Sequence, residues 1–301
     1  MSVDTLVRDE RIRKMLEPLL PRDFWPTMRL KAPPGRNSGP LVGTAFDYAV
    51  RFELQRRHPT ARCETWIAEG VVESLSHIAE VDATWVRLNE DDGVVSSVDS
   101  ELLARWTSVV HKARAFHSVY LKKGKPGAAA REQLARHALR LARIDPFRRS
   151  GHVEHEPERV EVVDVKDLME LLRITDWDGL HAEGPLWLNP DFGEHSARVG
   201  GADCDLISGD RLIDLKATTS PALSRDFGQL ILYLLLARAA HATDRDFPRI
   251  ASVGIYYARH CELILVPVEK IARPEMLERA EKTLFARARQ LRLQAAEGHE
   301  R

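Results

Sequence analysis

The chain has 301 residues, 44% of them apolar, and a formal net charge of −1, which suits one large domain or two modest ones and gives no global attraction to a polyanion or a membrane. Its three cysteines (Cys63, Cys204, Cys261) are far apart and lack C-x-x-C spacing, so a disulfide framework and a zinc ribbon are not expected, and a reducing cytoplasm is the expected compartment. The opening MSVDTLVRDERIRKML has no signal-peptide core, and the most apolar run, 230–240, is interrupted by Arg238 and too short to span a bilayer, so no membrane association is expected.

In chain order, residues 4–20 read as a short amphipathic helix stopped by Pro21, and a turn-rich loop follows (Pro33, Pro34, Gly35, Asn37, Gly39, Pro40). Residues 1–42 are thus an N-terminal helix and loop. Residues 43–57 read as a helix, with Phe46, Val50 and Leu54 repeating at four, and 43–60 as a first core helix. A mostly helical insert over 61–184 comes next, with breaks at 90–93 and 124–127 and a further helix at 165–174. From 185 to 301 the pattern changes. Runs at 202–207 and 211–217 flank Ser208-Gly209-Asp210, a hairpin signal. A helix at 226–240 has no wet face and is expected to be buried. Two more strands, 251–258 and 261–268, turn at Arg259-His260, and a charged helix opens at Pro274, which suits a first turn. Strands, buried helix, strands and covering helix predict an α/β sandwich.

Charge is uneven along the insert. Residues 111–149 carry eleven Lys or Arg against Glu132 and Asp145, a net of +9, whereas 154–194 are acidic. A solvated helix face is the bland explanation. The excess favours a phosphate-binding surface, with Lys112, Arg114, Lys122, Lys123, Lys125, Arg136, Arg140 and Arg143 as nucleic-acid-binding candidates.

The densest constellation is GGADCDLISGDRLIDLKAT, residues 200–218. A turn at Gly209-Asp210 puts Asp205 opposite Asp214 and Asp203 opposite Lys216, and alternation sends all four side chains to one face. Leu206, Ile213 and Leu215 fall on the other, which can pack against a helix. Opposed carboxylates roughly 5 Å apart repel, so a hairpin selected for stability alone would avoid them. A divalent cation removes the objection, since hard oxygen donors suit Mg²⁺ or Mn²⁺. Lys216 would then orient or deprotonate a water, or stabilise developing negative charge. Gln229 and Tyr233, at i and i+4 on the apolar helix, share one face; each alone would pass for a satisfied core residue.

Together these residues resemble the PD-(D/E)XK nuclease superfamily, most closely its RecB-like branch: Gly200-Gly201-Ala202-Asp203 matches G-x-x-D, Asp214-Leu215-Lys216 matches D-x-K, and Gln229 to Tyr233 matches Q-x-x-x-Y. The resemblance implies an α/β restriction-endonuclease-like core, a mixed central β-sheet flanked by helices, and metal-dependent cleavage of phosphodiester bonds, usually in DNA, with defence against foreign DNA, prophage function and repair all compatible settings. Asp214 would ligate the metal and Lys216 would be the catalytic lysine. The G-x-x-D spacing selects Asp203 as the other acid and direct opposition selects Asp205; both stay open. Gln229 and Tyr233 would shape the site or touch the substrate strand. Where the family's upstream helix often bears His or Glu, this chain offers Asp47, a further metal ligand or an ion-pair partner of Arg51, with Glu53 a substitute.

The cysteine quartet of some RecB-like nucleases is absent, so no iron–sulfur cluster is expected. Without a Gly-rich loop followed by Lys-Ser/Thr, no nucleotide cofactor is expected either. His152-x-x-His155-Glu156 lacks zincin spacing, and Ser208 lacks a nucleophile-elbow context. Two other functions fit the same residues: a catalytically silent nuclease fold serving as a DNA-binding or assembly subunit, and a protein that docks a basic partner on its acidic segment. A homo-oligomer also remains open.

Overall fold

The protein is described from a computed structural model that covers residues 3–21, 26–79, 85–88 and 95–299. In chain order its elements are α1 (Val3–Arg8), α2 (Glu10–Leu16), α3 (Gly39–Arg57), β1 (Arg62–Cys63), α4 (Ile67–Ala79), β2 (Trp85–Leu88), β3 (Val95–Val98), α5 (Ser100–Tyr120), α6 (Ala128–Ile144), α7 (Pro146–Ser150), α8 (Val162–Ile174), β4 (Leu186–Leu188), α9 (Glu194–Arg198), β5 (Leu206–Ser208), β6 (Arg211–Lys216), α10 (Leu223–Thr243), β7 (Ser252–Tyr257), β8 (Glu262–Pro267), α11 (Val268–Ile271) and α12 (Pro274–His299). The chain divides into two compact units, one of residues 1–30, 61–64 and 176–301, the other of 31–60 and 65–175. Among the described residues no helix is long and apolar enough to cross a membrane.

The first unit is built on a six-stranded mixed sheet of order β1-β4-β5-β6-β7-β8. Strands β4 to β6 run antiparallel in sequence, β6 and β7 are parallel, and β8 returns antiparallel to β7. Parallel neighbours need a crossover, and α10 supplies it. This helix packs on the face carrying Ile207, Leu212, Val253, Ile255 and Tyr257, while α1, α2 and α12 cover its other side. That double cover explains a sequence apolar all round. Leu230, Ile231, Leu232, Leu234, Leu235 and Leu236 are all fully buried, each worth about 1.5–3 kcal/mol.

Local chemistry sets the boundaries. The expected first helix breaks into α1 and α2 because Asp9 leaves helical geometry to cap Ile12 N (3.1 Å) and pairs with Arg287 of α12. Helix α3 starts four residues earlier than expected, since Pro40 sits in its first turn, where a missing N–H costs nothing. The β5–β6 turn is tight. Gly209 has φ +61°, and a Cβ there would lie 2.5 Å from Glu183 O, so only glycine fits.

The second unit is helical. Helix α3 packs on α6 and α8, and α5 on α4 and α6, around Phe46, Phe52, Trp66, Trp106, Leu139 and Leu168. The mostly helical expectation for 61–184 is interrupted at two places: β1, a strand of the six-stranded sheet, and β2 with β3, which form an antiparallel pair. Trp85, Val86, Val95 and Val98 favour strands. The expected break at 90–93 lies outside the described residues.

Candidate active site

The hairpin register is the one read from the sequence: Leu206 pairs with Ile213, Ile207 with Leu212, and Ser208 with Arg211, which extrapolates to Asp205 opposite Asp214. Beyond Leu206 the strands part. The Asp205 carbonyl accepts from Asn189 N (2.9 Å), Cys204 N donates to Pro190 O (3.1 Å), and Asp203 bridges Asp191. The β5–β6 ladder ends at Leu206 and Ile213, and Asp203 continues the pairing of β5 with the chain beyond β4. Gly200 and Gly201, at φ +84° and +102°, turn the chain from α9 into this bridge. In place of a ladder bond, the Asp205 carboxylate accepts the Leu215 N–H at 2.6 Å.

The faces differ from expectation in one respect. The apolar back, Leu206 and Ile213, is buried, with the neighbouring Ser208 Oγ accepting from Ala182 N (2.8 Å). The buried helix, however, lies over the acidic face. Gln229 Oε1 of α10 accepts from Lys216 Nζ (3.0 Å), and Gln229 Nε2 donates to Tyr233 Oη (2.9 Å). Tyr233 stacks on Phe192, ring centroids 5.9 Å apart. Asp205, Asp214, Lys216, Gln229 and Tyr233 thus form one connected cluster.

Its electrostatics are unusual for a core. Asp214 is 3% exposed; burial, reinforced by the charges of Asp205 and Asp226 and only partly offset by Lys216, pushes its carboxyl up to about 7. Lys216 Nζ lies 2.8 Å from Asp214 Oδ2, yet that oxygen receives no well-directed hydrogen bond among the described residues. Burial alone would depress the Lys216 ammonium, but Asp214, Asp205 and Asp226 outweigh it and hold it charged. Its side chain is 24% exposed. Burial, with Asp205 and Asp203 beside it, raises the Cys204 thiol well above its usual range, so it is no nucleophile.

Two residues of the cluster escaped the sequence reading. Asp226 of α10 accepts from Tyr257 Oη of β7 (3.0 Å) and from Ala222 N (3.2 Å). Its signal was its spacing: it lies three residues before Gln229 and seven before Tyr233, on the same helical face.

Asp47 falls in the helical unit, where its carboxylate pairs with Arg51 one turn on. Glu53 accepts from Arg56, Arg57 and Tyr120. The basic candidates divide. Arg114 grips Glu69 and lies over the Trp66 ring, Arg136 pairs with Glu132, Arg143 pairs with Glu154, and Arg140 Nε donates to Glu158 O. Glu69, Glu132 and Glu154 thus pair with three of the four candidate arginines. Lys112, Lys122, Lys123 and Lys125 stay exposed, the last three at the α5–α6 turn, with no ion pair among the described residues.

Among the described residues no three His, Cys, Asp or Glu side chains converge as a metal-binding group. The pair Asp205 and Asp214 nevertheless fits Mg²⁺, which uses one or two carboxylates and fills its remaining positions with water and substrate oxygens. The raised Asp214 carboxyl and its undirected Oδ2 are what a cation would relieve. Comparison of the chain with protein-family models, with curated proteins and with solved structures returned no match.

Proposed function

We propose that the protein is a Mg²⁺- or Mn²⁺-dependent nuclease with a restriction-endonuclease-like core, hydrolysing phosphodiester bonds in DNA. The observation that carries this reading is the cluster itself: a charged lysine held between Asp214 and Gln229, beside a second carboxylate, in a core where a buried ion pair is a poor stabilising device. Asp205 and Asp214 would hold the cation, which when bound would lower the pKa of a water and offset phosphate charge. Lys216, partly exposed, presents an ammonium to the negative charge that develops on a phosphoryl oxygen. Gln229 fixes that ammonium, and Tyr233 accepts from the Gln229 amide so that its carbonyl faces Lys216. The exposed Lys112, Lys122, Lys123 and Lys125 supply phosphate contacts of the sequence-independent kind.

Purified protein should nick or degrade DNA with Mg²⁺ or Mn²⁺ and stop on adding EDTA. Lys216→Ala and Asp214→Ala should each lose about 10²–10³-fold in kcat. Full activity in either variant would sink the mechanism. The exposed lysines of the α5–α6 turn, which need no metal to meet phosphate, favour a second reading, a catalytically silent nuclease fold that binds DNA; it predicts salt-sensitive binding with no metal-dependent cleavage.

A further inference from the structure

We propose that Asp226, tied to Tyr257, is a positioning residue that fixes α10 over β6 and β7 so that Gln229 meets Lys216. Its catalytic consequence rests on the nuclease reading above. Asp226, Gln229 and Tyr233 form the only polar stripe of α10's sheet-facing side, at i, i+3 and i+7. The strands they meet are bonded neighbours: Lys216 of β6 is the direct register partner of Tyr257 of β7. Two ties therefore rise side by side from the sheet to positions less than one helical turn apart, Lys216 to Gln229 at 3.0 Å and Tyr257 to Asp226 at 3.0 Å.

Stability alone does not account for Asp226. It is 2% exposed, and a carboxylate so deep in an apolar layer is costly unless fully paired. Its cationic neighbour, Arg225 Nε, is 3.7 Å away on a largely exposed side chain. What Asp226 does satisfy is the start of α10. The N-cap residue Ala222 offers no capping side chain, and the Asp226 carboxylate reaches back to the Ala222 N–H (3.2 Å) while holding Tyr257. The same carboxylate thus ends the helix and pins it to β7. Without it the first turn is free to shift, and Gln229, one turn on, shifts with it.

The test compares the wild type with Asp226→Asn, Asp226→Ala and Tyr257→Phe, by steady-state cleavage of a DNA duplex with Mg²⁺ and by crystal structures of the metal-free proteins. Asp226→Ala and Tyr257→Phe should lower kcat about 10- to 100-fold with KM within about twofold. In both, the Lys216–Gln229 contact should open beyond about 3.5 Å. Asp226→Asn keeps an acceptor for Tyr257 and should retain kcat within about fivefold. Tyr257→Phe preserves packing and decides the matter if Asp226→Ala does not fold. An intact Lys216–Gln229 contact in both Asp226→Ala and Tyr257→Phe, or an Asn variant as impaired as the Ala variant, overturns the proposal. A wild type that cleaves nothing removes the nuclease reading instead, and the distance in the metal-free variants still decides the positioning role.

Discussion

Both units bury carboxylates, and they treat them in opposite ways. In the helical unit Glu53 accepts from Arg56, Arg57 and Tyr120, and Asp164 from Arg36 and Ser38. Burial would raise both, but these partners outweigh it and hold both below the ordinary carboxylate range. In the sheet unit Asp205, Asp214 and Asp226 act on a single lysine, and Asp214 is pushed up to about 7. One set of acids holds helices together. The other lacks cationic charge, and a shortage of that kind is a functional signature more often than a structural one.

The contrast is broken or sharpened most directly by neutralising one acid in each unit without metal. Glu53→Gln should destabilise by about 3 kcal/mol, because two guanidiniums lose their partner. Asp214→Asn should act with the opposite sign at high pH. A folded-state carboxyl raised above its unfolded value contributes stability below about pH 4 that is lost as pH rises through about 7. The melting temperature of Asp214→Asn relative to wild type should therefore climb between about pH 4 and about pH 7 in EDTA and level off above. The shift corresponds to about 4 kcal/mol at most. A flat difference would show that Asp214 is ionised without penalty and would erase the contrast.

The helical unit has its own pH limit, on the other side. His117, packed against Phe52 and Trp66 with ring centroids 4.3 and 5.2 Å away, is pushed down to about 4 by burial and then by Arg114. A depressed histidine contributes stability above about pH 6.5 that is lost as pH falls through about 4. His117→Phe should thus gain on wild type by up to about 3 kcal/mol on going from pH 7.5 to pH 4, read by hydrogen exchange at α3 and α5 amides. Equal losses in both proteins would count against a neutral buried imidazole.

The smallest expected effect concerns the exposed lysines. Replacing Lys122, Lys123 and Lys125 together by Ala should reduce the salt slope of DNA binding by about 2–3 units and weaken affinity modestly. Replacing Arg114 or Arg143, already paired with Glu69 and Glu154, should lower stability and leave the slope unchanged. A slope that responds to the arginines and not the lysines would reverse this division of the basic region.

Much of the hairpin was legible because its determinants are local. Gly209 fixes the turn, the turn fixes the register, and a period of two assigns the faces. The burial of α10 was equally plain, since a helix apolar all round has nowhere else to go. Contacts between distant segments were not legible. The +9 excess of residues 111–149 looked like a free cationic surface, yet Glu69, Glu154 and the Glu158 carbonyl meet Arg114, Arg143 and Arg140 only once the helices pack. The backbone bridge of Asp203 to Asp191 was hidden as well, because Asp191 belongs to the chain beyond β4. The role of Asp226 was hidden too, because its partner Tyr257 is 31 residues away. The sequence by itself determined the α/β class, the hairpin and its acidic face, since short-range sterics and periodicity dictate them. Which charges are spent and which remain available was decided by tertiary structure alone, because Coulomb energy and burial depend on distance in space and not along the chain.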